Sequence, residues 1–335
     1  MELIACPICQ GIDFASTPGA SNDAAMKRLG GESRSRWAVC KGCGLVLQNP
    51  RPADEDVERL YSRHEYHQGG GADITAALAY AVRRPEPLIA YVDEHFAVED
   101  AGRHPSVLDV GCGLGGALIS YRLRGWEVHG VEPDPYFARV AQDLNVPVEQ
   151  RFFDAQSFDD LKVDLVFTCH AFEHFLEPLD IAESARAKLR PDGRLFVCVP
   201  TYRKPRTWAR EWMNVSHTFL FTHATLGNLL FKAGFEVTDY RYHSRESELW
   251  LLARPADKPA PGAPLPFPEE WHTIKRELEI TVPLRAATWA LPRIAARNSQ
   301  HLPQLLLDPR EFGKGFGRRI ARLRRRDAPA GPAAT

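Results

Sequence analysis

Between residues 106 and 253, short apolar runs alternate with longer stretches in which apolar residues recur every three or four positions. The first pattern predicts strands and the second amphipathic helices. Strands are predicted at Ser106–Val110, Glu127–Glu132, Val148–Phe152, Asp164–Cys169 and Arg194–Pro200, and helices at Gly115–Arg124, Pro135–Leu144 and Leu179–Leu189. Apolar strands separated by helices imply a parallel sheet covered on both faces. After Pro200 a long loop leads to a predicted helix at Ala224–Ala233, a strand at Phe235–Arg241 and the run LWLLA at 249–253. No helix separates these last two strands. They should pair as a hairpin, with the final strand antiparallel to the rest.

The flanks read differently. Residues 1–50 hold Cys6, Cys9, Cys40 and Cys43 around a polar loop rich in Gly, Ser and Ala. Residues 51–100 open with PRPADEDVERLYS, where Pro52 and a cluster of acids predict a short helix, followed by the breaker HEYHQGGG and further helical stretches at Thr75–Arg84 and Pro87–Phe96. The alternating region is assigned to 101–255. Beyond it, 256–335 follows the proline-rich PADKPAPGAPLPFP, with helices expected at Trp271–Arg285 and in the basic end.

At 335 residues and 44% apolar content, the chain can build a proper core and reads as globular and soluble. Its formal charge of −1 hides an asymmetry: Lys314, Arg318, Arg319, Arg322, Arg324, Arg325 and Arg326 concentrate positive charge near the end, so the rest is mildly acidic. Nucleic acid is therefore not an expected partner of the body. A helix in the tail would carry Phe316, Ile320 and Leu323 as an apolar stripe between arginines, suited to an anionic membrane surface or a lipid-linked glycan; a frayed, solvated terminus is the alternative. The first residues lack a signal-peptide pattern and no apolar run is long enough to span a bilayer, which places the chain in the cytoplasm, where its cysteines should be thiols or metal ligands. The oligomeric state is not legible.

Candidate chemistry gathers at VLDVGCGLGG, residues 107–116. Gly111, Gly113 and Gly115 would let backbone approach a ligand closely, and Glu132, at the tip of the second strand, can accept hydrogen bonds from ribose hydroxyls. A nicotinamide dinucleotide or S-adenosylmethionine would fit so far. Asp109 would crowd a pyrophosphate but could organise water and an ammonium, and the GxGxGG spacing departs from the pattern that seats a diphosphate. Asp154, in RFFDAQSF, is placed to accept from an adenine amino group.

Taken together, VLDVGCGLGG, VHGVEPDP, FFDAQSF, DLVFTCHAFEHFLEPL, LRPDGRLFVCVPT and AGFEV resemble the motifs of class I S-adenosylmethionine-dependent methyltransferases over roughly residues 105–255. The resemblance implies an α/β fold: a doubly wound, seven-stranded, Rossmann-like sheet with an antiparallel last strand, here with a small N-terminal zinc ribbon and a helical C-terminal extension. It implies S-adenosylmethionine as cofactor, with Gly111, Gly113 and Gly115 at the methionine, Glu132 on the ribose, Asp154 and Ala155 beside the adenine, and His170 next to the sulfonium. Cys112, Cys169 and Cys198 read as small core residues.

The CPIC and CKGCG knuckles can present Cys6, Cys9, Cys40 and Cys43 as a tetrahedral thiolate shell for zinc, which would be structural because no coordination position stays open. The stretch from WAVCKGCGLVLQNPRP through VERLY resembles the zinc-binding front end of bacterial methyltransferases of saccharide and small-metabolite tailoring. That likeness implies a front end covering the cofactor, with Tyr61 and Tyr66 within reach; ordinary packing is the other reading for both.

His170, Glu173 and His174 follow the fourth strand, where ligands gather in open parallel sheets. A histidine there could remove the acceptor's proton as the methyl group moves in line. HAFEH together with SHTFLFT resembles metal-assisted O-methyltransferases of ubiquinone synthesis and plant small-RNA ends, implying a divalent ion on Glu173, His174 and His217; His170 replaces that pattern's first acid. The loop with Tyr202, Trp208, Trp212 and His217 is expected to cover the pocket. TCHAF lacks the Asn/Asp-Pro-Pro-aromatic signature of exocyclic-amine methylation. Oxygen on a saccharide or small-molecule acceptor is thus the leading expectation. The alternatives are carbon on a deoxysugar, a non-enzymatic zinc-ribbon binding protein with a degenerate fold, and a nicotinamide-dependent oxidoreductase.

Overall fold

A computed structural model of the chain describes residues 2–17, 37–62, 74–98, 102–202, 216–243 and 248–279. Tyr66, Trp208, Trp212 and the basic stretch at 314–326 lie outside these residues, and with them the readings attached to those positions. Among the described residues no helix is long and apolar enough to cross a membrane.

Seven strands form the main sheet: β4 (Ser106–Val110), β5 (Glu127–Val131), β6 (Val148–Glu149), β7 (Val163–Cys169), β8 (Leu189–Pro200), β10 (Phe235–His243) and β11 (Glu248–Pro255). Their spatial order is β10-β11-β8-β7-β4-β5-β6. β6, β5, β4, β7 and β8 run parallel, whereas β11 is antiparallel to both β8 and β10. The sequence pattern anticipates this arrangement, hairpin included. The apolar runs SVLDV and VDLVFTC are buried almost throughout because both faces of the central strands are covered. β10 lies at the edge, and its alternation of half-buried and exposed residues follows from that position.

Two boundaries depart from expectation. β6 ends at Glu149, two residues after Pro147, and the following phenylalanines leave the sheet instead of extending it to residue 152. β8 begins at Leu189, ahead of the predicted Arg194, because a register shift opposite Val163 and Leu165 absorbs the PDG turn into the ladder.

The helices are α1 (Asp54–Ser62), α2 (Ile74–Arg83), α3 (Glu86–His95), α4 (Gly116–Leu123), α5 (Pro135–Asp143), α6 (Pro178–Lys188) and α7 (His223–Lys232). Local chemistry fixes their starts. The Asp134 carboxylate accepts the Tyr136 and Phe137 amides ahead of α5, with Pro135 at the first helical position, and Thr222 and Thr225 cap α7 reciprocally. Helices α3, α4 and α5 cover one face of the sheet, burying Leu88, Tyr91, Leu118, Tyr121, Ala138 and Ala141.

The opposite face is covered by α6 and α7 together with the cysteine-bearing front end, whose Ile8, Leu45 and Leu47 join Phe219, Phe221 and Leu229 in one core. That front end carries a second, antiparallel sheet of β1 (Phe14–Ser16), β2 (Trp37–Cys40), β3 (Val46–Gln48) and β9 (Phe219–Leu220). β9 comes from the far side of the chain and was not foreseen from the sequence. A helix over 271–279 packs Ile274 and Leu278 onto Trp37 and Val39.

Candidate functional site

A cavity of about 500 Å³ opens at the C-terminal ends of β4, β5 and β7, the position at which doubly wound sheets take their ligands. Its floor is the turn after β4. Gly111 has φ 76°, and a Cβ there would come within 2.5 Å of the Ala171 Cβ, so only glycine lets the turn pass beneath the loop that follows β7. Gly113 also lines the cavity. Glu132 stands beside it at the end of β5. One of its carboxylate oxygens accepts the Gly113 amide at 2.8 Å and the other the Asp134 amide at 2.9 Å, while burial pushes its pKa up to about 7. Asp54, Val57, Glu58 and Tyr61, one face of α1, form the roof. The Tyr61 ring meets Phe152 and His174 edge-on, with centroids 6.0 and 6.3 Å away.

Several predicted positions lie elsewhere. The Asp154 carboxylate is turned back on its own loop, where it pairs with Arg151 at 2.6 Å and accepts the Gln156 amide at 2.8 Å; neither it nor the exposed Ala155 lines the cavity. The rings of Phe152 and Phe153 occupy that wall instead. Asp109 is buried behind the turn, outside the lining, and burial holds its carboxyl well above the usual range. Gly115, at φ 76°, serves packing: its missing side chain admits the Ala141 Cβ of α5. Tyr202, expected in a covering loop, is a core residue beside Trp37 and Leu220.

The residues predicted for chemistry do converge. β7 ends at Cys169, His170 takes φ 54°, and a short 3₁₀ turn at Phe172–His174 follows. Glu173, only 1% exposed, has an oxygen 3.6 Å from His170 Nδ1, 3.5 Å from His174 Nε2 and 3.9 Å from His217 Nε2. Burial opposes its charge, but the surrounding imidazoles draw it down to about 2. Neither of its oxygens has a hydrogen-bond partner among the described residues.

The two cavity-lining histidines differ. His174 Nδ1 lies 2.8 Å from the Ser216 carbonyl oxygen, which can only accept, so Nδ1 carries the proton and Nε2 the lone pair. Burial also lowers its pKa, favouring the neutral ring. His170 contacts two carboxylates. Burial disfavours its charge, but Glu173 and Glu248 outweigh that and hold it well above the usual range.

The donor atoms of Glu173, His174 and His217 lie within 4.8 Å of one another, as do those of Cys6, Cys9, Cys40 and Cys43. In the cysteine cluster, Cys6 and Cys43 Sγ are 3.5 Å apart and Cys9 and Cys40 Sγ 3.4 Å. These spacings approach the roughly 3.8 Å edge of a tetrahedron with 2.3 Å metal–sulfur bonds. The cluster is consistent with a zinc ribbon.

The sequence reading passed over Glu248, Arg84 and Gln48. Glu248 left one trace, a single acid opening the apolar strand ELWLLA. Arg84 and Gln48 left none, because their importance lies in partners distant in sequence.

The sheet order, the glycine turn and the acid at the end of β5 match the pattern of class I S-adenosylmethionine-dependent methyltransferase domains. Residues 80–240 match the family model of a methyltransferase domain. The C-methyltransferase NovU of Streptomyces niveus is 26% identical over 239 residues, covering 68% of this chain and 53% of its own. A ubiquinone biosynthesis O-methyltransferase of Coxiella burnetii is 28% identical over 116 residues, 32% of this chain and 47% of its own. The chain thus spans about half the length of these curated relatives. Among solved structures, the 1,6-didemethyltoxoflavin-N1-methyltransferase of Burkholderia thailandensis superposes with a TM-score of 0.47 and 22% identity, covering 64% of this chain and 96% of that one.

Proposed function

We propose that this chain transfers the methyl group of S-adenosylmethionine to a hydroxyl oxygen of a small-molecule or saccharide acceptor. The observation that carries the proposal is His174, whose ring lines the cavity with its tautomer set by the Ser216 carbonyl, leaving Nε2 able to accept a proton. In the proposed reaction the acceptor oxygen attacks the methyl carbon in line, the carbon–sulfur bond breaks with its electrons going to sulfur, and the hydroxyl proton passes to Nε2. Glu132 would accept the ribose hydroxyls, and Gly111 and Gly113 would let the methionine end lie against the backbone. The α1 face would exclude water from above.

A divalent cation fits the neighbouring cluster. The buried Glu173 carboxylate, whose oxygens have no hydrogen-bond partner among the described residues, forms with the His174 and His217 imidazoles a mixed carboxylate–nitrogen donor set suited to a transition metal. Glu173, His174 and His217 would hold it; His174 Nε2 would then be a ligand in place of a base, and the cation would lower the acceptor hydroxyl's pKa so that its proton can pass to solvent. The four cysteines would hold a structural zinc.

A second reading, methyl transfer to carbon, is favoured by the 239-residue likeness to a C-methyltransferase. Methyl-labelled S-adenosylmethionine incubated with matched hydroxylated and carbon-acid acceptors tests both. Label released by mild demethylation of an ether supports oxygen, and label in a carbon–carbon bond supports the second reading. Calorimetry in which NAD saturates the cavity and S-adenosylhomocysteine gives no heat would overturn either one.

A further inference from the structure

His170 stands where β7 gives way to the 3₁₀ turn, with φ 54°, a backbone region that non-glycine residues occupy only at some cost. Its amide donates to the Cys198 carbonyl at 2.9 Å, which fixes the backbone and turns the ring toward the cavity wall. The ring is held from the opposite direction by a residue two strands away. Glu248, the first residue of β11 and 1% exposed, places one carboxylate oxygen 2.6 Å from His170 Nε2.

Sheet register explains the reach. Cys169 of β7, Cys198 of β8 and Trp250 of β11 form one row across the sheet, and Glu248 lies one step further toward the C-terminal edge, opposite Pro200. Two more groups complete the carboxylate's surroundings. Its second oxygen accepts the Trp250 indole N–H at 2.9 Å, and its first also takes the guanidinium of Arg84, which comes from the turn between α2 and α3. Arg84 also lies 3.3 Å from His170 Nε2. Arg84 and Trp250 can only donate, so the acid is ionised, in keeping with its lowered pKa, and Nε2 of His170 carries a proton toward it. Nδ1 is left facing Glu173.

We infer that Glu248 is the positioning residue of His170, with Arg84 and Trp250 holding its carboxylate in place, so that a buried acid on the last strand orients a ring of the cofactor cavity. The inference rests on the proposed reading of that cavity as the S-adenosylmethionine site. A carboxylate that orients an imidazole without touching the reactants is a recurrent arrangement in nucleophile–base constellations. A purely structural Glu248, pinned to Arg84 to join α2–α3 to the sheet, would stabilise the fold without setting the ring.

Calorimetry with S-adenosylhomocysteine on the full chain, combined with ¹⁵N spectra of its histidine side chains, separates the two. Losing a charge-assisted hydrogen bond should weaken binding about tenfold in Glu248→Gln and in His170→Ala alike. The double variant should be no worse than either, because both act through one ring. The proton on His170 Nε2 should lose its hydrogen-bonded resonance position in Glu248→Gln. Trp250→Phe, a milder change that frees one carboxylate oxygen, should shift that resonance in the same direction and keeps the test open if Glu248→Gln does not fold. Unchanged affinity and an unmoved resonance in a folded Glu248→Gln, or additive losses in the double variant, would overturn the inference alone. No heat with the wild-type chain would overturn the cofactor reading beneath it.

Discussion

Glu132 carries an energetic conflict. Its carboxylate is buried, which disfavours charge and raises its pKa from 4.5 to about 7, whereas the proposed ribose contact would use it as an anionic acceptor. In the ligand-free protein the protonated form is favoured on folding, so burying the charge costs stability above about pH 7, and that cost fades as the pH falls toward the ordinary carboxylate range. Binding should run the other way. S-Adenosylhomocysteine is expected to bind more tightly at about pH 8 than at about pH 6, releasing protons at the lower value, and calorimetry in buffers of different ionisation enthalpy would register this. Glu132→Gln should flatten the dependence. His174→Ala should lower turnover by roughly a hundredfold or more, the usual contribution of a positioned base, while leaving cofactor affinity close to wild type. Single-turnover rates beside calorimetry would show a different pattern if His174 only packs. At this scale the sequence is legible where spacing dictates placement: the cysteine knuckles cluster, and the glycine turn, Glu132 and the HAFEH string come together at one cavity. It is not legible at Asp154. There the direction of the side chain depends on a strand only two residues long and on an arginine three positions away, which local pattern does not encode.

Among the elements, β9 links the cysteine-bearing sheet to the chemistry. It pairs with β3 through Phe219 and Leu220 and begins two residues after His217; Gln48, the last residue of β3, extends the contact, its backbone N–H donating to the Thr218 carbonyl at 2.9 Å and its side chain to the His217 carbonyl. The Thr218 amide in turn donates to the Glu173 carbonyl at 2.8 Å. His217 is therefore held between the ribbon sheet and the 3₁₀ turn. Gln48→Ala is expected to cost about 1 kcal/mol, one buried hydrogen bond. It should also speed hydrogen exchange at the Thr218, Phe219 and Leu220 amides more than at β4 or β7; uniform acceleration would show that Gln48 supports only global stability. The βα alternation and the hairpin were legible because each element announces itself over several residues. β9 was not, since a two-residue strand has no period, and its existence depends on β3, which pairs Val46 with Leu220 and Leu47 with Phe219 from the far end of the chain.

For the molecule as a whole, the ribbon and the large sheet share a core: Cys6, Ile8, Leu45 and Leu47 pack in the same cluster as Val166, Val197 and Phe219. Arg51 adds a polar seam, donating to the Leu176 carbonyl and pairing with Glu177 at 2.6 Å beside the cavity. A front end built this way cannot loosen without exposing one face of the main sheet. Four clustered thiols, meanwhile, repel one another once ionised unless a cation sits among them. If the proposed zinc fills the cluster, a strong chelator, like Cys40→Ser, should therefore lower the melting temperature of the sheet itself, in one transition rather than two. The opposite perturbation should travel the same path. S-Adenosylhomocysteine at a hundred times its dissociation constant stabilises a folded protein that binds it by about 2.7 kcal/mol, and because both layers share one core, that protection should reach the ribbon. Thiol labelling of Cys6 and Cys43 during heating would measure it. Slower labelling with the ligand than with NAD at equal concentration is expected, whereas equal rates would mean that the cysteine module opens independently of the sheet it covers.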